Sequence, residues 1–336
     1  MYVRYFIIVL ISSAFISECI AGQYCEGFSQ DDEKFMVEGP WNIGQPIHEI
    51  ITLYTVSQVL NQLNKLESAH PDNFINNITL DMLPDFNSKN THNIEIRSLD
   101  IKTHQLLRGV IWPDDPEGLF FDNTSDACDF SSGINWLQRF DAKNTSDLSN
   151  YTARSHFGNL QFLHSMANSS DKTNIDTKNK VLSWADFLVS VITLKYDNDV
   201  KLSSIRFASD LFPSSVYIGD LFGVDDEESD FAIKIRQRAA GVLLHLIQDS
   251  YSKGHVNRSF DYKIIEFYNY NDASHDRDAH KEFDSWSEGE NLNKILEGNK
   301  EMSMAVRSGV DVLLMIIAKK RKDEIMGYLE NKVFNL

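Results

Sequence analysis

The sequence predicts an all-α protein, a single helical domain with long polar loops. Three observations carry that expectation. Apolar residues recur at helical spacing in several long segments, alternating strand patterns are scarce, and no internal repeat is detectable. A chain of 336 residues suits one large domain, and its 42% apolar and 24% charged content excludes wholesale disorder.

Each segment has its own justification. Met1–Gly22 reads as a signal peptide: Arg4 gives a positive start, Tyr5–Ile16 an apolar core, and Ala21–Gly22 small residues for cleavage. That core is too short for a membrane span, which needs ~20 apolar residues. The expectation is a secreted or periplasmic protein whose mature domain runs from 23 to 336. Cys19 leaves with the signal, so Cys25 and Cys128 remain as an even pair in an oxidising compartment, where a disulfide is plausible. Two thiols do not build a cysteine-rich zinc site, so any metal falls to His and Asp.

Gln45–Leu66 is apolar at helical spacing through Ile47, Ile50, Ile51, Tyr54, Val59, Leu60, Leu63 and Leu66. Asp72–Asn93 is polar and reads as loop around a short helix. Ile96–Ile111 is amphipathic and ends at Trp112-Pro113-Asp114-Asp115-Pro116, where two prolines forbid further helix. Residues 122–150, rich in Asn, Asp, Ser and Thr, read as a long surface excursion. Helical patterns resume at Phe157–Ala167, Val181–Lys195, Phe231–Tyr251 and Met302–Phe334.

The formal charge is −17, with 49 acidic against 32 basic residues, which argues against a groove tracking long stretches of nucleic-acid backbone. It leaves a metal site open, since carboxylates and imidazoles are the ligands such a site needs. Among ten histidines the informative stretch is His245-Leu-Ile-Gln-Asp249-Ser-Tyr-Ser-Lys-Gly-His255. His245 and Asp249 lie at i and i+4 on one helix face, and His245 sits inside the apolar run Gly241–Ile247. Burying both groups is costly unless each is paired or ligated. The bland alternative is a buried His–Asp hydrogen bond. His280-Lys-Glu-Phe-Asp284 repeats the spacing 25 residues after His255. With His255 it offers three ligands and open positions, as in a catalytic zinc site. Its alternative is a solvated acidic helix, and His275 competes as a ligand. His164 reads as a core residue or one that orients a ligand. His70, His92 and His104 read as surface residues.

The run His245-x3-Asp249-x5-His255 followed by His280-x3-Asp284 resembles the zinc cluster of the bacterial zinc-dependent phospholipase C and fungal single-strand nuclease superfamily. Trp112-Pro-Asp114, Ser155-His156-Phe157, and Trp41 followed by His48 are similar to that superfamily's other ligand segments. The resemblance implies an all-α, exported phosphodiester hydrolase with two to three zinc ions. Asp114, His156, His245 and Asp249 would hold the first. His255, His280 and Asp284 would hold the second. His48 with a bridging Asp249 would hold a third, completed in the family by an N-terminal Trp. Here Trp41 lies about twenty residues past the expected cleavage point, so its nitrogen is a peptide nitrogen and that site departs from the pattern. Asp115 competes with Asp114, for which the resemblance also implies a role as catalytic base. The implied substrate is a phospholipid at a membrane surface, on the evidence of the Ser-His-Phe segment. A single-stranded nucleic acid is the alternative from the same superfamily. A non-catalytic zinc-stabilised binding protein is the alternative from another class.

Overall fold

A computed structural model describes residues 47–69, 82–83, 104–118, 130–197, 199–224, 230–271 and 299–336. Met1–Gly22, Trp41, Cys25, Cys128, His70, His92, His275, His280 and Asp284 lie outside the described residues.

Nine α-helices are described: α1 Ile47–Ala69, α2 Gln105–Ile111, α3 Phe130–Ala142, α4 Tyr151–Phe157, α5 Asn174–Ile192, α6 Ile218–Leu221, α7 Phe231–Tyr251, α8 Lys300–Ile317 and α9 Lys322–Tyr328. Two short strands, β1 Val256–Arg258 and β2 Ile264–Phe267, pair antiparallel with a bulge after Asn257. The chain is thus mainly α, and the expected scarcity of strands holds among the described residues. None of their helices is long and apolar enough to cross a membrane.

The architecture follows from α7. Every residue from Arg238 through Tyr251 is buried, and a helix covered on all sides lies at the centre of its domain. It packs against α2, α5 and α8, while α8 also covers α1. Its apolar side chains Val242, Leu243, Leu246 and Ile247 join Trp184, Leu188 and Val191 of α5 and Leu313 of α8 in one core. A His–Asp pair on such a helix has no route to bulk water except through its neighbours.

The crossing of α2 and α7 is unusually close, and two glycines permit it. A Cβ on Gly109 would lie 2.1 Å from the Arg238 carbonyl oxygen, and one on Gly241 would lie 2.1 Å from the Leu106 carbonyl oxygen. The two backbones therefore touch directly. This contact brings the end of α2, and the Asp114 turn after it, alongside the His245 turn of α7.

The structure alters several sequence expectations. The polar excursion at 122–150 contains α3. Trp136 and Phe140, one turn apart, stack at 4.9 Å, and Trp136 is fully buried. Two aromatics one turn apart outweigh the polar composition around them. The expected helix Phe157–Ala167 is instead the end of α4, an extended Gly158, and a 3-10 turn at Gln161–His164. The expected helix Met302–Phe334 breaks at Lys319, whose φ of 51° ends α8, and finishes in a short π turn at Leu329–Val333. α5 begins at Asn174, ahead of the expected Val181, because Thr173 and Asp176 form a capping box there.

Filling the α2–α7 contact is a direct test. Gly241→Ala sets its new methyl against backbone atoms that have no rotamer to escape by, and overpacking of this kind costs about 1–3 kcal/mol. Gly327, with open space around its Cβ position, is the control, where Ala in a helix is neutral or stabilising. Urea unfolding should show Gly241→Ala destabilised by at least that amount and Gly327→Ala unchanged or improved. Equal stability of Gly241→Ala and the parent chain would contradict the described crossing.

Candidate metal centre

Four stretches of backbone carry the site, and each is fixed by its own hydrogen bonds. After α2 the chain wraps on, with Asp114 N and Asp115 N both donating to the Ile111 carbonyl at 3.0 and 3.1 Å. The indole of Trp136 donates to the Asp114 carbonyl at 3.1 Å, and that of Trp112 to the Leu221 carbonyl at 2.7 Å. The 3-10 turn carrying His164 is tied to α7 by Ser165 Oγ, which donates to the Leu246 carbonyl at 2.9 Å. His255 follows α7 and is bound to that same turn. The start of α1 supplies His48.

The ring protons of the histidines can be assigned from their partners, because a carbonyl oxygen only accepts. His245 Nδ1 lies 2.7 Å from the Val110 carbonyl, so Nδ1 carries the proton and Nε2 the lone pair. His164 Nε2 lies 3.1 Å from the Pro113 carbonyl, so its lone pair is on Nδ1. His255 Nδ1 donates to the His164 carbonyl at 2.8 Å, and His156 Nδ1 to the Thr152 carbonyl at 2.9 Å. His48 Nδ1 donates at 2.7 Å to the Gln248 amide oxygen, whose own Nε2 donates to Thr52 Oγ1 at 2.8 Å. All five rings thus commit one nitrogen to an outer oxygen. That is the arrangement by which metal-ligating histidines fix their tautomer.

The other nitrogens of His48, His164, His245 and His255 converge on Asp249. His245 Nε2 is 2.9 Å from Asp249 Oδ2, His164 Nδ1 is 3.1 Å from the same oxygen, and the two nitrogens are 3.2 Å apart. Asp114 Oδ1 stands 3.7 Å from His164 Nδ1. On the opposite side, Asp249 Oδ1 lies 3.2 Å from His48 Nε2 and 3.7 Å from His255 Nε2. Asp249 Oδ1 is buried and has no hydrogen-bond donor. With one proton per ring, lone pairs and a carboxylate face one another across about 3 Å, which is repulsive unless a cation lies between them. A second proton on His245 would serve, but burial, despite the attraction of Asp249, pushes that imidazole down to about 4. His245 is therefore uncharged at neutral pH. Burial raises the Asp249 carboxyl, and the surrounding imidazoles outweigh it, holding the group well below the usual carboxylate range. A metal ion would supply that cation. Donors at about 2.0–2.1 Å from a tetrahedral ion sit about 3.3 Å from one another, close to the spacings of His164, His245 and Asp249.

Three groups of buried ligand atoms can hold an ion: His48 with His245 and Asp249, Asp114 with His164 and His245, and His164 with Asp249 and His255. Sequence-expected Asp114, His245 and Asp249 are brought together, and His48 reaches Asp249 as a bridging role requires. Of the neighbouring acids, Asp114 belongs to a group and Asp115, also buried, does not.

Two expectations change. His164, read as a core or ligand-orienting residue, belongs to the donor set itself. His156 stands outside the three groups, with its ring 5.3 Å from that of His164 and framed by Trp136, Phe140 and Tyr270. His255 also lies near Asp249, at 3.7 Å, while its expected site with His280 and Asp284 falls outside the described residues. The signal for His164 was available in the sequence. It interrupts the apolar run Leu160–Met166 just as His245 interrupts Gly241–Ile247. No family model, curated protein or solved structure matches this chain.

Chelation tests the centre. An ion at a hundred times its dissociation constant stabilises by about 2.7 kcal/mol, and each kcal/mol moves the melting temperature of a domain this size by about 2–4 °C. Treatment with a chelator should lower the melting temperature by about 5–10 °C, and readdition of zinc should restore it. An unchanged melting curve would argue that the lone pairs are reconciled without metal.

Proposed function

We propose that this chain is an exported zinc-dependent phosphodiester hydrolase, a phospholipase C acting on phospholipid at a membrane surface, with the helical fold of the phospholipase C and single-strand nuclease superfamily. The observation that carries the proposal is the convergence of imidazole lone pairs on a buried carboxylate, with Asp114 at its edge. The ligand spacing His245-x3-Asp249-x5-His255 and the Asp114 turn support the superfamily, and Met1–Gly22 supports export. Imidazole and carboxylate without thiolate suit zinc.

Zinc held by His48, Asp114, His164, His245, Asp249 and His255 would supply Lewis acidity, which lowers the pKa of water and offsets the charge of a phosphodiester. The chain's residues do the rest. Asp249 presents one oxygen to each side of the cluster, so its charge holds the two halves in register. His164 and His245 fix the inner side through carbonyls of the Asp114 segment and α2. His48 and His255 fix the outer side. Asp114 is buried within reach of both His164 and His245, and we assign it the proton released when water attacks phosphorus. The proton moves to its carboxylate as the new P–O bond forms, and it passes on to the departing oxygen as the P–O bond to that oxygen breaks, so that the leaving group departs as the alcohol.

Purified protein with zinc, presented with choline phospholipid, single-stranded DNA and a chromogenic phosphodiester, tests the proposal. Cleavage of the phospholipid is expected, cleavage of DNA alone would move the substrate to the nuclease branch, and cleavage of none would remove the enzymatic reading. Asp249→Asn keeps the shape and removes the charge. Both Asp249→Asn and His164→Ala should reduce turnover by at least about a hundredfold, since even residues that only support a ligand cost 10–100-fold. Full activity in either variant would contradict the assigned donor set.

A further inference from the structure

The charge balance of the whole chain hides a region of opposite sign. At the ends of α5 and α8, beside the start of α9, lies a cavity of about 690 Å³. Six of its ten described lining residues are cationic: Lys195, Arg236, Lys319, Lys320, Arg321 and Lys322. None of the described lining residues is acidic, in a chain where acids outnumber bases 49 to 32. Ile192, Leu194 and Ile316 supply an apolar wall.

Some of these cations have partners around the rim. Lys322 Nζ lies 2.6 Å from Asp186, Lys320 Nζ 3.1 Å from Glu324, and Arg321 Nη2 2.9 Å from Asp323. Arg236 Nε donates to the Ile192 carbonyl at 2.8 Å. Lys195 and Lys319 have no carboxylate within ion-pair distance among the described residues, and Lys195 lies instead 5.8 Å from the ring of Tyr196. Lysines near helix C-termini are favoured by the dipole, which accounts for each singly. It does not account for six cations, with no acid among the described lining residues, converging on one cavity.

Leu194 and Lys319 end their helices with φ of 58° and 51°. This left-handed position ordinarily belongs to Gly, because a Cβ there is strained. Both side chains are exposed, Leu194 at 58%, and the helix-capping bonds from Lys195 N to the Ser190 carbonyl at 2.8 Å and from Lys320 N to the Met315 carbonyl at 2.9 Å hold these conformations. Two strained and exposed side chains, one apolar and one cationic, therefore stand at the mouth of the same cavity.

We infer that this cavity is a binding site for a phosphate-bearing anion with an apolar portion, held by Lys195, Lys319 and their neighbours. The volume falls within the ~300–1,000 Å³ of ordinary small-molecule sites and exceeds what a lone phosphate fills. Arg236 and Asp249 are 13 residues apart on α7, so the cavity lies about 20 Å along the helix from the candidate metal centre at 1.5 Å per residue. The inference does not rest on the proposed hydrolase activity.

The ligand has two sources, a soluble phosphorylated molecule or an anionic lipid headgroup, and two probes separate them. Pyrophosphate binding is read by calorimetry, and association with phosphatidylcholine vesicles containing phosphatidylglycerol by flotation. The double variant Lys195→Gln/Lys319→Gly removes both charges and places Gly where φ is positive, so the fold is preserved or improved. Wild type should bind at least one probe, with affinity falling as salt is raised, and the double variant should bind it at least tenfold more weakly. Pyrophosphate alone assigns a soluble ligand, and vesicles assign a headgroup. Binding of neither probe overturns the inference. So does binding that survives in the double variant and disappears in Asp249→Asn, since it then belongs to the metal centre.

Discussion

A carboxylate that cannot reach water organises this molecule. Asp249 sits with both oxygens inside the core, and four imidazoles are turned toward it by bonds to Val110, Pro113, His164 and Gln248. Each of those outer bonds fixes where one proton is, so a singly protonated ring turns its lone pair inward. Left alone, this arrangement is among the costlier things a core can contain, because buried charge without compensation is strongly disfavoured. With a cation at the centre the same geometry becomes favourable, and the stability of α7 and its neighbours is then coupled to metal.

The rest of the fold serves that arrangement. Without side chains at Gly109 and Gly241, α2 and α7 approach until their backbones touch, and only then is the Val110 carbonyl within 2.7 Å of His245. The bond from Trp136 to the Asp114 carbonyl holds the turn beyond α2 in place, and α3 exists to carry that Trp. The 3-10 turn at Gln161–His164 presents His164 from a direction a continuous helix would not allow. A glycine contact, an indole hydrogen bond and a broken helix therefore act on one point.

Much of this was legible in the sequence. The i, i+4 spacing of His245 and Asp249 inside an apolar run placed both on the buried face of α7, whose limits Phe231–Tyr251 match the periodic segment. The two prolines after Trp112 correctly ended α2 and left Asp114 on a turn. The apolar surroundings of His164 were equally visible, yet residue spacing could not join it to α7, because that contact is made 81 residues apart through Ser165 and Leu246. The helix α3 was hidden by polar composition, since Trp136 and Phe140 are two aromatics in a stretch of Asn, Ser and Asp. The close approach of Gly109 to Arg238 is likewise a tertiary fact, for a glycine within a helical pattern has no single meaning until its partner is known.

Zinc X-ray absorption on the metal-loaded protein tests the central claim most directly, because it reports the atoms around the ion rather than the consequences of binding. Nitrogen and oxygen neighbours are expected at about 2.0–2.1 Å, with multiple-scattering features of imidazole and no sulfur shell at about 2.3 Å. Imidazole features that weaken in His164→Ala would place that ring on the metal. A shell of oxygen alone, a sulfur shell, or a protein that retains no zinc would contradict it.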